Sequence, residues 1–260
     1  IKDVKRTFHN IQDALEWEPD AVIISSPAIY HVEQALSFAN LKIPVLVEKP
    51  IGTLNNKSEE LELLRERSRD SLVLVGYLLR HEPCLKVLDE MIKENRVGNI
   101  LEADFYCGSW LPTWREGKEY SQTVSANSNL GGGVLLELSH EIDLAHFLFD
   151  ELTILGANFG KSNFLKTDVE EQAYILAKSK NVQISIRLNF CTRPEKRIIN
   201  LRGEKGEISW DIIKNELKVI DEFSKFKKIN FENNSKGRLG REIEHFFSCI
   251  KGDTNPICTT

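Results

Sequence analysis

Asp20-Ala-Val-Ile-Ile-Ser-Ser-Pro27 and Pro44-Val-Leu-Val-Glu-Lys-Pro50 are the stretches that decide the fold. Each is a short, continuous apolar run, which suits a strand buried on both faces of a parallel sheet. Ser26-Pro27 breaks the first run, and Pro50 with Gly52 closes the second. Between them, Tyr30 to Asn40 carries Val32, Ala35, Leu36 and Ala39 at helical spacing. Working outward, Asn55 to Arg69 is rich in Glu, Leu and Arg and predicts a helix. Ser71 to Gly76 is a third buried strand, and Pro83 to Asn95 a helix with Pro in its first turn. Three strand–helix units in succession predict a parallel sheet with right-handed crossovers.

The pattern changes after Gly98. Ile100 to Gly108 alternates apolar and polar residues, and a polar, Trp-containing loop follows from Ser109 to Leu130. A loop of that length points to function or to short elements hidden in it. Gly131-Gly132-Gly133 opens an apolar helix expected over Val134 to Phe149. Strands are then expected at Thr153–Gly160, Glu171–Ala177, Val182–Thr192, Arg197–Arg202, Gly206–Asp211 and Glu216–Ile220, with a hairpin turn at Gly203–Gly206. Leu239 to Ile250 reads as a last helix. The fold class is therefore α/β plus α+β: a partial parallel sheet, then a domain with a large open, mainly antiparallel sheet. The boundary is expected near residues 97 to 100, giving domains 1–98 and 99–260, with the last helix packing back on the first domain.

Lys and Arg number 34 against 39 Asp and Glu, a net charge of −5, and no basic face is clustered as nucleic-acid binding requires. The short Lys-rich run from Lys225 to Lys228 reads as a solvated strand edge. No stretch approaches the roughly 20 apolar residues of a membrane span. The N-terminal residues form no apolar leader, and Cys84, Cys107, Cys191, Cys249 and Cys258 are scattered without CxxC spacing. That pattern predicts a reducing, cytoplasmic setting without a disulfide framework. The chain starts without Met and stops after Pro256 without a closing element, so both ends read as cut.

Two motifs carry chemistry. Glu48-Lys49-Pro50 ends a predicted parallel strand, where ligands of such sheets bind. An ammonium there can hydrogen-bond a substrate oxygen and shuttle its proton; a surface Lys at a strand end is the plainer alternative. The second motif begins at Gly131 and runs through Glu137, His140, Glu141 and Asp143. Spacings of three put Glu137, His140 and Asp143 on one helical face, where a His beside carboxylates can act as acid or base. A His satisfied within a helix contact is the alternative. A metal reading from Glu137, His140, Asp143 and His146 is set aside for want of a further ligand.

Together and in this order the two motifs resemble the Gfo/Idh/MocA oxidoreductases, relatives of glucose-fructose oxidoreductase and inositol dehydrogenase. The resemblance runs along nearly the whole chain: Asp20 to Pro27 followed by His31, the Glu48-Lys49-Pro50 hallmark, Gly76 to Pro83, Gly98-Asn99-Ile100, Asp168 to Glu171, Gly203 to Gly206, and His245-Phe246. It implies a Rossmann-type dinucleotide-binding domain followed by a substrate-binding and oligomerisation domain, NAD or NADP as cofactor, and a sugar, nucleotide-sugar or cyclitol substrate. Lys49 would be the catalytic Lys, oriented by Glu48, with His140 as proton acceptor or relay and Glu137 in the carboxylate place. Ser25, Ser26, Pro27, His31 and Pro50 would lie by the cofactor with Glu48 and Lys49. Arg80, Trp114, Arg115, Tyr120 and Asp143 are the expected substrate contacts.

Two departures stand out. Many members place an Asp four residues before the His, whereas Glu137 is three before His140, a shift of about 100° around a helix axis. The Leu-Ser-His-Glu-Ile-Asp form resembles a subgroup associated with surface-polysaccharide and nonulosonic-acid pathways. No GxGxxG is present; the family carries it in a first strand–turn–helix unit that holds the pyrophosphate. The chain as given is therefore expected to lack half its cofactor site, to expose a raw sheet edge and to be inactive alone. A homodimer or homotetramer is expected through the open sheet face, with Ile184, Ile186 and Leu188 alternating against Gln183, Ser185 and Arg187. The competing functions are an NAD-dependent glycoside hydrolase or lyase on the same scaffold, and a non-catalytic interaction protein.

Overall fold

The two apolar runs pair side by side. In the computed structural model, which describes residues 6–232 and 235–260, they form β1 (Val22–Ile24) and β2 (Val45–Glu48). With β3 (Val73–Gly76) they make a parallel sheet in the order β1-β2-β3. Helices α1 (Ile11–Glu16), α2 (His31–Ala39) and α3 (Ser58–Arg67) alternate with them. Val32 and Ala35 of α2, with Val45 and Val47 of β2, are wholly buried, each larger side chain contributing roughly 1.5–3 kcal/mol.

The chain divides into two compact units, Ile1–Gly76 with Glu242–Thr260, and Tyr77–Arg241. The last helix, α7 (Ser235–Lys251), contains the second crossing point. Its Phe246 forms a core cluster with Leu46 and Leu74 of the first unit. Beyond α7 the chain runs back along β3: the Val75 amide donates to the Cys258 carbonyl at 3.1 Å, and Thr259 bridges Leu74 antiparallel.

Helix α4 (Pro83–Lys93) lies in the second unit. Its Leu85 and Leu88 join the large cluster there, so the compact division falls at Gly76/Tyr77, ahead of the region near 97 to 100. An eight-stranded sheet follows, made of β4 (Ile100–Trp110), β5 (Thr153–Gly160), β6 (Gln172–Ser179), β7 (Val182–Asn189), β8 (Cys191–Gly203), β9 (Gly206–Asp211), β10 (Glu216–Asp221) and β11 (Phe226–Asn230). The order is β11-β10-β9-β8-β4-β7-β6-β5, with only the β4/β7 pair parallel. The Lys225–Lys228 run falls largely on β11, an edge strand.

Three expectations change. The run expected as one strand over Val182–Thr192 breaks at Phe190. There β7 leaves one side of β4 and β8 starts on the other, six residues earlier than expected. Second, Ile184, Ile186 and Leu188 are buried in the core, so the face left open on β7 carries Gln183, Ser185 and Arg187. Third, the expected helix Val134–Phe149 is two: α5 (Val134–Glu137) and α6 (His140–Phe149), separated where Leu138 leaves helical geometry at φ −105°, ψ 28°. Glu137 therefore does not share one continuous helical face with His140 and Asp143. The loop Ser109–Leu130 contains four short 3₁₀ turns, at Leu111–Thr113, Tyr120–Gln122, Val124–Ala126 and Ser128–Leu130. No helix among the described residues is long and apolar enough to cross a membrane.

Candidate functional site

In the first unit, β2 delivers Glu48 and Lys49 at its carboxyl end, opposite Gly76 of β3. A Cβ on Gly76 would lie 3.3 Å from the Glu48 Cα, so the strand ends approach closely where only glycine fits comfortably. The Lys49–Pro50 peptide is cis. His31, buried at the start of α2, spans the two strand-end loops: Nδ1 lies 2.8 Å from the Pro50 carbonyl oxygen and Nε2 2.8 Å from that of Ser26. The Ser26 hydroxyl donates to Gln34 Oε1 at 2.7 Å. His31 thus braces the loops, Ser25 is exposed, and Ser26, Pro27, Lys49 and Pro50 are half-buried around them. A cavity of about 420 Å³ runs along β1, lined by Val22, Ile24, Ser25, Ser26 and Gln34 among others.

One group here escaped sequence reasoning. Glu242 of α7 is 2% exposed, and burial together with the neighbouring Glu48 carboxylate pushes its pKa up to about 7. The available signal was Glu242 lying four residues before Phe246, hence on the same face of α7.

In the second unit, His140 opens α6 and its ring meets Tyr77 edge-on, centroids 5.5 Å apart. Arg80 and Asp143, both expected to contact substrate, form a fork-like ion pair: Nε donates at 2.9 and 3.1 Å and Nη2 at 2.7 Å. Burial pushes the Asp143 pKa up while Arg80 pulls it down, and the net direction is up. The Arg80 guanidinium also lies 5.2 Å from the Phe147 ring. Tyr120 accepts a hydrogen bond from the Lys166 amide at 3.0 Å, which ties its hydroxyl to the neighbouring loop.

Trp114 and Arg115 line a cavity of about 700 Å³, with Trp110, Leu138, Arg193, Glu195 and Arg197 among its other walls. Trp114 is fixed by donating Nε1–H to Ser109 Oγ at 2.8 Å and by packing edge-on to Phe190. Arg197 pairs at 2.5 Å with Glu141, which is fully buried. Trp110, Arg193 and Arg197 were not singled out on sequence, because the early start of β8 is what brings residues 191–197 alongside the end of β4. Among the described residues no group of three His, Cys, Asp or Glu side chains is placed to hold a metal ion.

Family descriptions match both parts of the chain: the NAD-binding Rossmann fold of the GFO_IDH_MocA oxidoreductase family over residues 2–77, and the GFO/IDH/MocA C-terminal domain over residues 85–209. The chain belongs to the Gfo/Idh/MocA oxidoreductase family. Among its family relatives, "Oxidoreductase P35" of Formosa agariphila is 27% identical over 193 residues, covering 74% of this chain and 59% of the relative. The glucose-6-phosphate 3-dehydrogenase of Bacillus subtilis is 28% identical over 218 residues, covering 79% and 61%. The chain thus spans about three fifths of the length of these relatives. A levoglucosan dehydrogenase solved with NADH and levoglucosan shares the fold at a TM-score of 0.81 and 16% identity, covering 96% of this chain and 77% of that one.

Proposed function

We propose that this Gfo/Idh/MocA chain is the greater part of an NAD(P)-dependent dehydrogenase acting on a sugar, nucleotide sugar or cyclitol. The observation that carries this is Lys49 at the carboxyl end of β2 in a member of that family. Relatives named as a glucose-6-phosphate 3-dehydrogenase and a levoglucosan dehydrogenase agree with a carbohydrate substrate. Ser25, Ser26 and Pro27 follow β1 directly, at the carboxyl end of a parallel strand where such sheets bind their ligands. They would hold the cofactor, and when bound it supplies a hydride acceptor or donor at its nicotinamide.

The protein's own part is proton handling and positioning. As a substrate hydroxyl becomes a carbonyl, its O–H bond breaks and the proton goes to a base while the hydride leaves carbon. Lys49 Nζ holds the reacting oxygen by a hydrogen bond and receives or relays this proton. Glu48 orients Lys49, His31 fixes the loop entering and leaving that position, and the Arg80–Asp143 pair holds α6. Glu137, in a separate helix, stands outside this set.

The test uses the chain extended by the upstream strand, glycine loop and helix implied by the family resemblance. Sugar-dependent nicotinamide reduction should fall by a factor of 10² to 10⁴ in Lys49→Ala, the usual worth of a general acid–base group. Turnover unchanged in Lys49→Ala would refute the assignment.

A further inference from the structure

The 700 Å³ cavity of the second unit has a charge character opposite to that of the chain. Its walls include Arg115, Arg193 and Arg197 against one acid, Glu195, in a chain of net charge −5. We propose that this cavity is a sugar pocket that selects carbohydrates bearing an anionic substituent, a carboxylate or a phosphate; the sugar class rests on the dehydrogenase reading above, the anion selectivity on the pocket alone.

Two of the three arginines are available for the task. Arg197 is half-buried and its charge is matched by the fully buried Glu141 at 2.5 Å, so it serves as a neutralised wall. Arg115 and Arg193 form no ion pair among the described residues. Both are exposed at the cavity. Arg193 is not loose, however: its guanidinium carbon lies 3.9 Å from the centroid of the Trp110 ring. Stacking of this kind pre-orders the planar fork and leaves its edge donors for an oxygen anion. A carboxylate or phosphate matches that fork with two parallel hydrogen bonds. Trp110 and Trp114 supply broad apolar surface in the same cavity, and Trp114 is held rigid by Ser109 and Phe190. An apolar wall with a few placed polar groups is the composition of a small-molecule site. Glu195 is the opposing charge, weakening anion binding and setting its selectivity.

The experiment is quenching of tryptophan fluorescence in the 260-residue chain by D-glucuronate, D-glucose 6-phosphate and D-glucose. The anionic sugars should bind about tenfold or more tighter than glucose, the size expected of one charge-assisted hydrogen bond, and added salt should narrow the gap. Joint Arg115→Met and Arg193→Met substitution should remove that advantage, so that the variant binds the anionic sugars no more tightly than it binds glucose. Glu195→Gln should strengthen anion binding, a gain that misfolding cannot mimic. Tight binding of glucuronate alone, of the phosphate alone or of both supports the proposal and names the anion. Equal binding of all three sugars, binding of none, or an unchanged preference in the double variant overturns it. Nicotinamide reduction by the extended chain with neutral sugars would then leave the dehydrogenase reading standing. Anion-selective quenching without any nicotinamide binding by the extended chain would do the reverse.

Discussion

Arg80 and Asp143 are more informative as a pair than as separate substrate contacts. Their side chains are 12% and 7% exposed, so removing one leaves the other buried without its partner. Arg80→Met should destabilise the second unit by about 3 kcal/mol in urea unfolding at neutral pH; Asp143→Asn should cost at least as much, because it leaves the Arg80 guanidinium buried without its counter-charge. Glu242 makes the complementary prediction. Its folded-state pKa, about 7, is raised above that of an ordinary glutamate, so its stabilising contribution is complete below roughly pH 4.3 and is lost as pH rises through 7. Glu242→Gln should therefore gain stability relative to the parent between pH 5 and pH 8, read from thermal unfolding at each pH. Lys49 was singled out by the Glu48-Lys49-Pro50 resemblance and not by its surroundings, since a surface Lys at a strand end is the plainer reading of the tripeptide alone. Glu242 was not, because nothing local says which face of α7 is covered; only the packing of Phe246 against Leu46 and Leu74 decides it.

At the scale of elements, periodicity located β1 to β3 and the helices between them within a few residues, since both faces of β2 and β3 are buried and the turns are marked by Pro and Gly. It failed where tertiary contacts overrode the local pattern. The apolar run from Val134 to Phe149 has no breaker in it, yet α5 stops after four residues. Its first turn is capped from outside, the Leu135 amide donating to Glu170 Oε1 at 3.0 Å. The preceding glycines are fixed by contact: a Cβ on Gly132 would lie 2.2 Å from the Val124 carbonyl oxygen, and Gly133, at φ +111°, would meet the Glu170 carboxylate at 2.4 Å. Gly132→Ala collides with backbone that cannot swing away, and should cost about 3 kcal/mol or more in equilibrium unfolding. A tolerated alanine there would show that the loop from Ser109 to Leu130 is not packed against α5 as described. The same loop shows why the cavity walls were only partly legible: Trp114 and Arg115 stand out in it, but their neighbours Arg193 and Arg197 come from a strand whose start no spacing rule locates.

For the whole molecule, the alternation of β6 leaves Tyr174 and Leu176, 50% and 59% exposed, on the sheet face that the helices do not cover. We propose that this face joins copies of the chain. Tyr174→Glu with Leu176→Glu should then lower the mass seen in sedimentation without unfolding either unit, whereas an unchanged mass would place the contact elsewhere. The family and its two-part architecture were readable from residue order alone. Cofactor choice and substrate were not, because loops such as Ser109–Leu130 carry no periodicity from which their conformation could be read. The most direct test of the central claim is a fluorescence titration of NADH and NADPH into the chain extended by its upstream strand, glycine loop and helix. Saturable binding of one of them is expected, weakened when His31→Ala releases the loops at Ser26 and Pro50. An extended, folded chain that binds neither nucleotide would contradict it.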